Sequence, residues 1–317
     1  MPSTLKIAFV GAGYMATEHM RAFASLPDVE VAGIYSRTRE RAEKLAASYG
    51  ARVCDSVSDL YAKTGADLVV VTVVELSMAE VASECFDHPW SVLLEKPAGY
   101  DLADATRIRD AAVRAHSRAF VAFNRRVYSS TRQALELLRG HSSQRFIKVI
   151  DQQDQQAAIL QNNQPELVAR NYMFANSIHL IDYFRVFARG EVTGIEPVVR
   201  WTPEKPGLVL AKINFTSGDI GLYEGIWDGP GPWIVSVNTP EQRIEMRPLE
   251  QVTVQLRGTR AVTKLDIDPD DTAYKPGLRY QARQAVAAVR KEPANLATIE
   301  DSWHSMKLVA DIFGLTR

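Results

Sequence analysis

Four apolar residues, Ile7-Ala8-Phe9-Val10, run without a break into Gly11-Ala12-Gly13-Tyr14-Met15-Ala16, and a helical pattern follows. A strand that empties through a glycine-rich turn into a helix has few ways to fold. The Gly-x-Gly-x-x-Ala spacing is a dinucleotide fingerprint in its alanine-ending form. Gly11 permits the sharp turn, Gly13 lets backbone N–H groups approach a pyrophosphate, and Ala16 keeps helix and strand close. The diphosphate is expected at the helix N-terminus, beside Tyr14 and Met15, where unpaired N–H groups and the positive dipole end favour an anion.

Strands and helices alternate through the first third of the chain. Val29 to Tyr35 reads as a strand and Thr38 to Ser48 as a charged helix. Leu68 to Val73 is the uninterrupted β-branched run of a strand buried on both faces. Further apolar runs, Ser91 to Leu94 and Ala119 to Phe123, flank a helical segment from Asp101 to His116. This is the grammar of an α/β doubly wound parallel sheet, which takes ligands at the carboxyl ends of its strands.

The grammar changes after Asn124. A helix near Ser129 to Arg139 precedes a polar stretch, Gln152 to Gln164, that reads as a loop. Strands then follow with few helices between them: Val209 to Phe215, Ile220 to Trp227, Trp233 to Asn238 and Val252 to Arg257. Helices over Leu278 to Arg290 and Thr298 to Phe313 close the chain. At 317 residues there is length for two domains. The expectation is a dinucleotide-binding domain over 1–124 and an α+β domain with a largely antiparallel open sheet over 125–317.

Composition narrows the partners. Lys plus Arg number 37 against 38 Asp plus Glu, a net charge of -1 that supplies no electrostatic reason to expect nucleic acid or an anionic membrane. The opening Met1-Pro2-Ser3-Thr4 carries no basic segment followed by an apolar one, so a cytoplasmic enzyme is expected. Cys54 and Cys85 are too few for a disulfide framework, and the scattered histidines suggest no metal site.

The end of the second strand bears on cofactor choice. An acidic residue there suits the ribose 2′-OH of NAD, whereas an arginine suits a 2′-phosphate. Ser36 and Arg37, with Arg41 close behind, favour NADP(H) and leave NAD(H) open, because a guanidinium grips phosphate with a fork of charged donors. The plainer alternative is a solvated, arginine-rich helix face.

Two further places carry chemistry. Glu95-Lys96-Pro97 stands at the end of the Ser91 strand, where side chains face the ligand crevice. A lysine there can stabilise the alkoxide that develops when hydride leaves or reaches a carbon, although the tripeptide also makes an ordinary strand exit. In the helical segment Phe174 to Phe187, Ile178, Ile181 and Phe184 make an apolar stripe, with His179, Asp182 and Tyr183 on another face. His179 and Asp182 are neighbours at i and i+3, and an imidazole can carry a hydroxyl proton near neutral pH.

Taken in order, Gly11 to Ala16, Glu95-Lys96-Pro97 and Ser177-Ile178-His179-Leu180-Ile181-Asp182 resemble the glucose-fructose oxidoreductase, inositol dehydrogenase and MocA family. The resemblance implies a Rossmann domain, an α+β domain whose open sheet often supports oligomers, and NAD(P)-dependent oxidation or reduction of a sugar, nucleotide-sugar or cyclitol. It assigns Lys96 and His179 to the family's active-site lysine and histidine, with Glu95, Thr72 and Asn124 near the cofactor. Asn124-Arg125-Arg126 resembles the family's Arg-bearing hinge and brings Arg126 toward substrate.

This chain departs from the family at Ala175, where relatives place an aspartate, and at Thr72-Val73-Val74-Glu75, where they read Thr-Pro-Asn. Asn171, Asn176 or Asp182 are candidates for the lost polar role. Tyr274 and Lys275 belong to an aromatic and basic cluster suited to a sugar. Trp227 and Trp233 suit sheet core or a sugar platform, with packing favoured for at least one. A homodimer or homotetramer is expected. The alternatives are a glycoside hydrolase that oxidises its sugar transiently, or a non-catalytic dinucleotide sensor.

Overall fold

The computed structural model describes residues 4–204 and 207–316. Met1 to Ser3, on which the expectation of a leaderless start mainly rests, lie outside them. The chain divides into two compact units.

The first unit holds the residues up to Asn124 together with Pro269–Trp303. Its strands are β1 (Leu5–Val10), β2 (Val29–Tyr35), β3 (Arg52–Cys54), β4 (Leu68–Val71), β5 (Ser91–Glu95) and β6 (Ala119–Ala122). They pair in parallel in the order β3-β2-β1-β4-β5-β6, and the short Ala297–Thr298 strand adds antiparallel to β6. The order reverses between β1 and β4, so the turns after Val10 and Val71 diverge and open a crevice at their carboxyl ends. All of β4 is buried, as its β-branched run requires.

Residues 269–303 correct the expected extent of the second domain. The Leu278–Val289 helix places Leu278, Ala282, Ala285 and Val286 in one core with Phe9, Met20 and Phe23. Small residues on its buried face let it pack closely on the Tyr14–Ala24 helix, a contact distant in sequence that no local pattern announces.

The second unit holds Arg125–Asp268 and the residues from His304 onward. Its strands are β7 (Phe146–Gln153), β8 (Val192–Val199), β9 (Leu208–Phe215), β10 (Ile220–Trp227), β11 (Ile234–Asn238), β12 (Gln242–Met246), β13 (Thr253–Leu256) and β14 (Thr263–Lys264). They run in the order β14-β13-β12-β11-β7-β10-β9-β8. Among the described residues, β7 and β10 pair in parallel and the other pairings of this sheet are antiparallel. Buried and half-exposed residues alternate along β7, β9 and β10, so one sheet face is packed and the other open. Trp227 belongs to the packed face, against Trp201 and Phe313.

Of the expected loop, Gln152 to Gln164, only the end after Leu160 is one. β7 continues through Gln153, and Gln155–Leu160 forms a helix whose N-cap, Asp154, accepts a hydrogen bond from the Ala157 N–H at 2.8 Å. Paired side chains, not apolar ones, fill these strand positions, so hydropathy could not reveal them. The segment before His179 also differs: Met173–Ser177 is a π-turn, and the α-helix proper is Ile178–Phe187. Ile178 to Phe184 are all buried, so the first two turns of this helix are enclosed on every side, and Arg185 and Val186 beyond them are half-buried. Among the described residues, no helix is long and apolar enough to cross a membrane.

Candidate active site

Gly11 sits at φ +105°, where its N–H reaches the Tyr35 carbonyl at 2.8 Å. A Cβ at Gly11 would come within 2.6 Å of the Thr72 carbonyl oxygen, so the turn admits only glycine. Gly13 caps the Tyr14–Ala24 helix, and a Cβ there would meet no atom within 4 Å. The empty space at Gly13 therefore opens away from the protein, over the helix N-terminus. Gly11, Gly13 and Thr72 line a cavity of about 290 Å³, with Ser36, Arg37 and Arg41 also in its lining. A helix terminus presenting N–H groups, with hydroxyl and guanidinium groups around the same cavity, fits a phosphorylated dinucleotide.

Arg39 is not part of this lining: it pairs with Glu43 at 2.8 Å and with Asp55. Glu80 and Glu84 do line it, one turn apart on the Met78–Phe86 helix. They were missed in the sequence, although an i, i+4 acidic pair just after β4 was a usable signal. Tyr14 is largely exposed, with the Lys275 ammonium 5.5 Å from its ring centre, while Met15 packs against the core.

At the end of β5, Glu95 is buried and turns to His19, with Oε1 and Nε2 2.8 Å apart. Its other oxygen accepts the Lys96 N–H at 3.0 Å, and the Lys96–Pro97 peptide is cis. Glu95 thus anchors the strand end that carries half-buried Lys96. Asn124 donates to the Pro276 carbonyl at 3.0 Å. Tyr274 lies between the guanidinium groups of Arg21 and Arg279, at 4.9 and 5.3 Å. Tyr274 and Lys275 therefore belong to the first unit, with the glycine turn, and not to the sheet domain in which they were expected.

In the second unit the structure brings Arg126 and Asp182 together. Arg126 donates through Nε and Nη2 to both Asp182 oxygens at 2.6 Å, and the Ser305 hydroxyl donates to Oδ1 at 2.5 Å. A buried carboxylate held by this fork is compensated in place. His179 is buried one turn earlier. One turn before that, half-buried Asn176 donates from Nδ2 to Gln153 Oε1 at 2.9 Å. Gln153 Nε2 in turn donates to Asp151 Oδ1 at 2.7 Å, and the Tyr223 hydroxyl donates to Asp151 Oδ2 at 2.7 Å.

Burial raises the Asp151 carboxyl above its ordinary value, against the opposing influence of the Ser177, Tyr223 and Gln153 side chains. Sequence reasoning missed Gln153 because it lies in the stretch taken as a loop, Asp151 because its strand was not foreseen, and Tyr223 because its strand was read only for its apolar face. Trp233 donates to the Gln152 carbonyl at 2.9 Å and carries the Arg125 guanidinium 4.3 Å from its ring centre. Asn171 bonds the Leu167 carbonyl within its own helix end at 3.1 Å. Among the described residues no cluster of three or more His, Cys, Asp or Glu could hold a metal.

Residues 5–123 match the model of an oxidoreductase family, Gfo/Idh/MocA, with an NAD-binding Rossmann fold. Over 124 residues the chain is 28% identical to glucose-6-phosphate 3-dehydrogenase of Bacillus subtilis, an alignment covering 39% of this chain and 35% of that protein. It therefore spans about a third of that curated relative's length. Among solved structures, a dehydrogenase from Chromobacterium violaceum superposes with a TM-score of 0.85 at 18% identity, covering 99% of this chain and 96% of that one. UDP-N-acetylglucosamine 3-dehydrogenase of Acidithiobacillus ferrooxidans superposes with a TM-score of 0.79 at 16% identity, covering 99% and 98%. These superpositions establish a shared two-domain fold.

Proposed function

Because residues 5–123 match the model of the Gfo/Idh/MocA oxidoreductase family, we propose that the chain is a member of that family and an NADP(H)-preferring dehydrogenase of a sugar or nucleotide-sugar hydroxyl. The observation that carries the reading is one cavity lined by the glycine turn together with Ser36, Arg37 and Arg41. Gly13 and the helix N-terminus hold the diphosphate, and Ser36 with Arg37 and Arg41 hold the 2′-phosphate. When bound, the cofactor supplies or accepts a hydride at its nicotinamide ring.

Lys96, on a strand end fixed by the Glu95–His19 pair, polarises the reacting oxygen with its ammonium and stabilises developing negative charge there. His179 takes or returns the hydroxyl proton. Its helix is held on one side by the Arg126–Asp182 fork and on the other by the Asn176–Gln153 bond, so the imidazole stays in place through the reaction. Arg126 and Asp182 act as a neutralised support, and Asn176 contacts substrate. The names of the two relatives point to phosphorylated or nucleotide-linked hexoses. The chain works as a homo-oligomer in the cytoplasm.

The test is NADPH consumption against 3-keto and other keto forms of glucose 6-phosphate, UDP-N-acetylglucosamine and myo-inositol. The reading predicts turnover of at least one, and a loss of roughly a hundredfold or more in kcat for Lys96→Ala with NADPH affinity retained. Equal turnover by Lys96→Ala would remove the lysine from the chemistry. Sugar release with retained NAD(H) and no net consumption would replace the dehydrogenase by a hydrolase.

A further inference from the structure

The fully buried Asp151 is not used by the chemistry above, yet two side chains converge on it. Tyr223 and Gln153 donate to its two oxygens at 2.7 Å each. Gln153 passes the polarity onward. With Nε2 committed to the carboxylate, its Oε1 faces Asn176 and must receive a donor, which is Asn176 Nδ2. Reversing either amide would set oxygen against oxygen at hydrogen-bond distance, leaving a buried acceptor unmet. The ionised carboxylate sets this direction, and a proton on Oδ2 would leave it unchanged because Oδ1 would still accept from Gln153.

We propose that Asp151 is a positioning residue that orients two amides in series, so that Asn176 turns its carbonyl oxygen away from Gln153 to act as an acceptor, one helical turn before His179. One Asn176 Nδ2 hydrogen goes to Gln153, which fixes the amide's direction and leaves its carbonyl oxygen on the other side to meet a ligand. The group it takes is a donor, and on the dehydrogenase reading, on which this last step rests, it is a hydroxyl of the sugar or polyol. The position three residues before the histidine thus supplies an acceptor although Ala175 carries no carboxylate. π-Turns recur at functional sites, and this one carries Asn176 itself.

The polarity is testable by reversal. Asn176→Asp places an acceptor against Gln153 Oε1, a conflict only while Asp151 holds Gln153 in its present direction. With Asp151→Asn, the amide at position 151 can donate to Gln153, Gln153 can turn over, and the carboxylate introduced at position 176 can accept. The expected result is that Asn176→Asp lowers the melting midpoint by about 3 °C or more in the Asp151 protein and by less than about 1 °C in the Asp151→Asn background. An equal loss in both backgrounds overturns the relay. Should Asp151→Asn not fold, Gln153→Met serves as the second background. It removes the opposing oxygen, and there too the Asn176→Asp loss should disappear.

Kinetics read the substrate half of the proposal. Asp151→Asn should raise KM for the sugar the wild type turns over by about tenfold, since Asn176 can then present N–H groups. Adding Asn176→Asp restores an acceptor and should recover most of that loss; no recovery overturns the acceptor role. If the wild type turns over no sugar, the dehydrogenase reading fails, while the melting comparison still judges the relay by itself.

Discussion

The two glycines of the opening turn should fail in opposite ways when each gains a methyl group. At Gly11 the cost falls on the protein. An alanine must adopt φ +105°, and its Cβ would lie 2.6 Å from the Thr72 carbonyl oxygen and 2.8 Å from Thr72 Oγ1. Left-handed backbone costs an L-residue about 1–2 kcal/mol, and overlap in a packed site adds about 1–3 kcal/mol. Gly11→Ala should therefore lose about 2–5 kcal/mol. At Gly13 φ is -93° and no atom lies within 4 Å of the added Cβ. The only cost to the fold is a poorer helix cap, under about 1 kcal/mol. That methyl would instead occupy the space assigned to the diphosphate. Urea unfolding and an NADPH fluorescence titration on both variants separate the two costs. Gly13→Ala should fold nearly as well as the wild type yet bind NADPH at least about tenfold more weakly. Wild-type NADPH affinity in a well-folded Gly13→Ala protein would refute the assignment of that space.

Other consequences follow from the second unit and from the thiols. Burial pushes the Asp219 carboxyl up, but hydrogen bonds from the Arg189 side chain and from the Arg145 and Arg189 N–H groups outweigh it and hold the group at about 2. The folded value lies below the unfolded one, about 3.9, so about 2 kcal/mol of stability is present above roughly pH 4 and is lost as pH falls toward 2. Asp219→Asn should flatten the acid-unfolding curve in that window, measured by circular dichroism; an unchanged curve contradicts the ion-pair assignment. Cys54 and Cys85 are both buried, and burial raises both thiols. An aromatic disulfide reagent should label neither in native protein and both in urea; rapid native labelling would show that the first unit opens.

The first unit was largely legible because its strands obey local rules. The second strand was read at its observed ends, Val29 and Tyr35, since a short, mostly apolar segment between polar turns is written as a strand. Ser36, Arg37 and Arg41 were legible as a group because the position after β2 has a defined neighbour in this fold. What escaped depends on partners distant in sequence. Glu95 was taken as a ligand-facing group, and its turn toward His19, 76 residues away, has no local signature. The Leu278–Val289 helix looked like any amphipathic segment, and only its packing on the Tyr14–Ala24 helix assigns it to the first unit. Asp151 and Gln153 were hidden by their own chemistry: polar side chains satisfied inside a sheet look, in one dimension, like a solvated loop.

The most direct measurement is a parallel fluorescence titration of purified wild-type protein with NADPH and with NADH, after a check for cofactor carried through purification. The dinucleotide cradle with Ser36, Arg37 and Arg41 in its lining predicts that NADPH binds at least about tenfold more tightly than NADH, and that Arg37→Ser with Arg41→Ser erases the difference. Equal affinity for the two would contradict the 2′-phosphate assignment, and binding of neither would contradict the oxidoreductase reading itself.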